Sequence, residues 1–77
     1  MKINVLFFGI LSELTGKNAL EIDGIENLMA LKSYLWKTFP GIKEMDFRFA
    51  INKEIIDGKV EFKTGDEIAL LPPFAGG

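Results

Sequence analysis

Only one stretch of this 77-residue chain carries the period of a long helix. Leu28, Leu31, Leu35 and Phe39 recur at three- and four-residue intervals and lay a single apolar stripe along it. Met29 and Trp36 widen that stripe or flank it, Trp36 as a packing residue or at the rim of an interface. Asp23 or Gly24 is the expected cap, with Glu26 in the first turn. Pro40-Gly41 stops the helix, because a proline disfavours helical backbone at the residue before it. With no second long helix to cover it, this stripe must lie on a sheet.

The rest of the chain supplies that sheet. Lys2 to Phe8 is rich in β-branched and aromatic residues, with Ile3, Val5 and Phe7 on one face and Leu6 and Phe8 on the other. Gly9 ends this strand, and Ile10 to Leu14 form a short helical turn closed by Thr15-Gly16. Ala19 to Ile22 is a second strand, paired with the first as a hairpin. Phe47 to Ile51, Glu54 to Ile56 and Glu67 to Leu71 follow, separated by turns at Asn52-Lys53 and Thr64-Gly65-Asp66. Pro72-Pro73 ends the last strand, since neither proline donates a ladder hydrogen bond. The expected fold class is α+β, a mixed sheet of four to five strands on one main helix, with residues 1–77 as one domain and 72–77 as its tail. This order resembles the ubiquitin-like β-grasp fold, whose first and last strands lie side by side in parallel.

Composition excludes several kinds of chemistry. Without cysteine or histidine there are no disulfides, thiolate nucleophiles or common zinc sites, and no side chain suited to proton transfer near neutral pH. Nine basic residues are scattered among eleven acidic ones, so no concentrated basic face marks a nucleic-acid partner. No apolar run approaches the roughly 20 residues that span a bilayer, and Val5 to Phe8 is too short for a signal peptide. A cytoplasmic protein that binds neither membrane nor nucleic acid is expected. The adjacent carboxylates Asp66-Glu67 and the pair Glu44 and Asp46 fit turns or a solvated surface better than acid-base work.

The last six residues, Pro72-Pro73-Phe74-Ala75-Gly76-Gly77, are the most informative. Two prolines favour a stiff, extended backbone directed away from the sheet. The four residues beyond them reach about 13 to 14 Å when extended, at ~3.3 to 3.6 Å each. Gly76 and Gly77 have no side chains, so a narrow channel of another protein can close around them. A free α-carboxylate is ionised in the cytosol and is a poor acyl electrophile. It becomes reactive once a partner converts it to an activated acyl group, with adenylation the usual route.

These residues resemble the family of molybdopterin synthase small subunits, and the likeness covers essentially the whole chain. Val5-Leu6-Phe7-Phe8 with Glu13-Leu14-Thr15-Gly16 is similar to the family's first strand and short helix. Ala50-Ile51-Asn52 is similar to its third strand and turn, and Gly65 to Ala69 with Leu71 to Gly77 to its closing strand and tail. Thiamine-pathway carriers share the fold and the Gly-Gly end but usually lack the two prolines. Where many members carry an aromatic pair, this chain has Leu70 and Leu71, and Ser12 stands where many carry arginine. The resemblance implies a sulfur carrier with no catalysis of its own. An activating enzyme would consume ATP to adenylate the Gly77 carboxylate, a sulfur donor would convert it to a thiocarboxylate, and the tail would enter the large synthase subunit. The sulfur would build the dithiolene of molybdopterin in a heterotetramer whose catalytic site lies on the large subunit. No cofactor or metal is expected on the carrier itself.

With the first and last strands as neighbours, Leu6 and Phe8 share an outward face with Ala69 and Leu71. Ala50 and the tail-root Phe74 join them in an expected partner-binding patch. The competing expectation is that the short helix Ile10 to Leu14 covers these residues, or that they are merely half-buried. Three other functions fit the same tail or fold: a sulfur carrier for thiamine or tRNA thiolation, a ubiquitin-like modifier conjugated through Gly77, and an interaction module with an inert tail.

Overall fold

The computed structural model describes residues 1–72. Alternation of large apolar residues builds the sheet: Ile3, Val5 and Phe7 of β1 (Lys2–Phe7) and Ile68 and Leu70 of β5 (Glu67–Leu71) all point inward and are buried. These strands are parallel neighbours, with Val5 opposite Ile68 and Phe7 opposite Leu70. β2 (Ala19–Asp23) lies antiparallel on the outer side of β1. β3 (Arg48–Ile51) lies antiparallel to β5, and β4 (Glu54–Ile56) to β3. The five-stranded order is therefore β2-β1-β5-β3-β4, the mixed sheet that the sequence leads one to expect.

The inner face is covered by α2 (Leu28–Thr38), whose Leu28, Leu31 and Leu35 are buried against it. Removing each such leucine from water stabilises the fold by roughly 1.5–3 kcal/mol. This stripe is the one read from the sequence, but the cap is not. Asp23 is the last residue of β2, and Gly24 turns the chain at φ 89°. The cap is Asn27, whose side-chain oxygen accepts a hydrogen bond from the Ala30 N–H at 2.8 Å. The Asp23 carboxylate instead meets the Met1 ammonium at 3.0 Å, and that contact holds it below the usual carboxylate pKa.

At its other end α2 stops where the proline requires, with Phe39 out of the helical region at φ −125° and ψ 80° before Pro40. The chain then winds through a 3₁₀ turn (Pro40–Glu44) that buries Ile42 completely. Neither this turn nor the buried Phe62 follows from periodicity, because each is an isolated apolar residue in a polar setting. The connection from β1 to β2 contains α1 (Ile10–Thr15), whose Leu11 enters the core. Gly16, at φ 74°, ends α1 in the left-handed conformation, as expected of Thr15-Gly16. Phe47 lies just outside β3, edge-on to Trp36 at 6.1 Å between ring centres, and Trp36 is a half-buried packing residue.

Candidate functional site: the outer sheet face and the tail root

α2 covers only one face of the sheet. On the other, the registers align Ala19, Leu6, Ala69, Ala50 and Ile55 in one row across all five strands. The next position toward the strand end pairs Leu71 with Arg48. Phe8, one residue past β1, follows Leu6 on the same side by alternation. Leu6, Ala69 and Leu71 are half-buried, while Phe8 keeps 45% of its surface exposed. α1 therefore leaves Phe8 largely uncovered. Polar residues border the row: Asn4 opposite Glu67 and Glu21, with Lys2 ion-paired to Glu21 at 3.7 Å.

Ala50 stands in this row but is only 2% exposed. Its methyl lies between Ala69 and Ile55, so it forms the floor of the patch and contributes almost no accessible surface. The accessible apolar group on that side is Ile55, 49% exposed. The sequence alone does not place Ile55 in the patch, because a three-residue strand carries too little alternation to assign a face. The signal lay in the Ile55-Ile56 pair, since a two-residue period must turn one of them outward.

The root of the tail is fixed beside this patch. Gly9 adopts φ 58° and ψ −132°, a conformation open to glycine, and a β-carbon there would stand 3.1 Å from Pro72 Cγ. Pro72 thus packs against the backbone that joins β1 to α1, next to Phe8. The expectations placed on Pro73, Phe74, Ala75, Gly76 and Gly77 lie outside the described residues.

A hydrogen-bond brace holds the start of β5. Asn52, in the left-handed region at φ 46°, donates from Nδ2 to Asp66 Oδ1 at 3.1 Å and accepts from the Glu67 N–H at 3.0 Å. Asp66 Oδ2 accepts from the Lys63 N–H at 2.7 Å. The Asp66 carboxylate is therefore committed to the loop, in line with the turn role read for Asp66-Glu67. Among the described residues no group of three or more acidic side chains is placed to hold a metal ion, and no helix is long and apolar enough to cross a membrane.

A mixed sheet in the order β2-β1-β5-β3-β4, gripping one main helix, defines a ubiquitin-like β-grasp domain. The small archaeal modifier protein 1 of Methanosarcina acetivorans shares this fold, with a TM-score of 0.80 and 23% identity over 99% of this chain and 96% of that one. The ThiS family model matches residues 5–77, and the chain belongs to that family. It is 32% identical to the human molybdopterin synthase sulfur carrier subunit, covering 99% of this chain and 94% of the relative. It is likewise similar to a chain in the complex of subunits 1 and 2 of the molybdopterin-converting factor from Helicobacter pylori. There the identity is 32% and the TM-score 0.78, with both chains fully covered.

Proposed function

We propose that this chain is the sulfur-carrier subunit of a molybdopterin synthase and works in the cytoplasm as the substrate of its partners. The Gly77 carboxylate attacks the α-phosphate of ATP on an activating enzyme, releasing pyrophosphate and forming an acyl adenylate. Sulfide supplied by a donor then displaces AMP and leaves a thiocarboxylate. The tail from Pro72 to Gly77 enters the large subunit, where the sulfur passes to the pterin precursor and water restores the carboxylate. One tail carries one sulfur and a dithiolene holds two, so two loaded carriers are consumed per product. Leu6, Phe8, Ala69, Leu71 and Ile55, over the floor formed by Ala50, are the docking face for the large subunit in a heterotetramer.

The observation that best supports this reading is the apolar row across the sheet face opposite α2, which the described residues leave open, ending where Pro72 packs on Gly9. An unshielded apolar face beside the origin of a Gly-Gly tail suits a protein that presents its terminus to a partner. The relatives named as sulfur carrier subunits support the same role. Intact-mass analysis of protein from its native cell tests it. A fraction in which oxygen is exchanged for sulfur at Gly77 is expected, and deletion of Gly77 should abolish cofactor production. Isopeptide adducts through Gly77 without the sulfur form would instead establish a modifier. Unchanged cofactor production after the deletion would sink the carrier reading.

A further inference from the structure

On the helix side of the sheet, away from the docking face, a cleft of about 280 Å³ opens between α2 and the β3–β4 edge. Lys32 and Lys43 line it from the helix side with a single acid, Asp57, although acidic residues outnumber basic ones in the chain; Arg48 also touches the cleft, from the outward register of β3. The Asp57 carboxylate accepts from the Gly58 N–H at 2.9 Å, within its own turn. None of the three cations is ion-paired among the described residues, where the ion pairs are Met1–Asp23 and Lys2–Glu21. Aromatic rings form one wall: Phe47 meets Trp36 and Phe49 edge-on, at 6.1 and 5.1 Å between ring centres. Lys32 Nζ stands 5.8 Å from the centre of the Phe49 ring, so its charge is held over the apolar wall.

We infer that this cleft is a binding site for a small anion built on a single ring, an aryl or heteroaryl phosphate. The unpaired cations select the charge, and phosphate, with several acceptor oxygens, accepts hydrogen bonds from lysine ammonium groups such as those of Lys32 and Lys43. The half-buried Trp36 and Phe47 offer ring surface to a planar body. Size limits the ligand: the cleft falls just below the ~300–1,000 Å³ of sites for drug-sized molecules, which suits one ring and its charged group but not a dinucleotide. This inference is independent of the sulfur-carrier reading.

Trp36 is the only tryptophan, so its fluorescence reports the cleft directly in the unmodified protein. Titration with phenyl phosphate at low salt should give a saturable change with a Kd of about 1 mM or tighter. Inorganic phosphate and benzyl alcohol should each bind at least about tenfold more weakly, since each supplies half of the recognition. Lys43→Glu and Lys32→Gln should weaken phenyl phosphate binding about three- to tenfold, and Lys53→Glu, on the distant β3–β4 turn, should leave it unchanged. The absence of saturation, equal binding of inorganic phosphate, or indifference to Lys43→Glu would each overturn the proposal.

Discussion

Asn52 concentrates several demands at one residue. The β3–β4 turn needs positive φ at both Asn52 and Lys53, the geometry of the tight turn that matches strand twist. Asparagine tolerates that backbone better than most residues, and its amide also reaches across to Asp66 and Glu67. The brace thereby fixes where β5 starts, and with it the register that carries Leu71 to the outer face. Replacing Asn52 with alanine removes two hydrogen bonds and puts a poorly suited residue at positive φ. Because both bonds are solvent-exposed, the expected loss is about 1–2 kcal/mol, at the lower end for such a combination. Asn52→Gly should lose less, since it keeps the turn and forfeits only the bonds. Urea unfolding of the two variants checks this, and equal losses would show that backbone conformation contributes nothing.

Among the elements, α2 shows how tertiary contact chooses a boundary that local preference leaves open. Residues 23 to 27 include three possible caps, and Asn27 wins because its neighbours are already tied to another segment. The Leu28 N–H donates to Val60 O at 2.9 Å, the Phe62 N–H donates to Glu26 O at 2.8 Å, and Asn27 bridges Glu61. Asn27→Ala should therefore cost about 1 kcal/mol, the usual worth of a cap, whereas Asp23→Ala, which loses only an exposed ion pair with the Met1 ammonium, should cost less. Thermal unfolding followed by circular dichroism separates them, and the reverse order would mean that Asn27 does not cap α2. The same contrast explains what was legible. Strands with clean alternation, the apolar stripe of α2 and the Gly16 end of α1 are written in adjacent residues. The Asn27 cap, the 3₁₀ turn and the burial of Phe62 depend on segments far apart in the chain. The site divides likewise: alternation placed Leu6, Phe8, Ala69 and Leu71 outward, while Ile55 and the Gly9–Pro72 contact required the cross-strand register, which no local pattern specifies.

For the whole molecule, the proposed function gives each side of the two-layer sheet a separate task. Leu28, Leu31 and Leu35 consume the inner face, so stability rests there, and the outer face is left free to trade its water for a partner. Charges introduced on the outer face should then affect association and spare the fold. Phe8 and Ile55 mark opposite sides of the patch, and both are about half exposed in the free chain. Phe8→Asp and Ile55→Asp should each weaken binding to the cognate large subunit by about 30-fold, equivalent to roughly 2 kcal/mol at an interface anchor. Their unfolding midpoints should fall only modestly, by about 4–8 °C, because each gives up about half of one side chain's burial, roughly 1 kcal/mol. Met29→Asp supplies the control: Met29 is more exposed than either but lies on α2 in the other layer, so its variant should bind normally. Apolar contact also implies weak dependence on salt, whereas binding through the cations of the helix side would fade as ionic strength rises. Calorimetric titration of the three variants at low and high salt decides between the two faces. Loss of affinity in Met29→Asp alone would move the docking site to the helix layer.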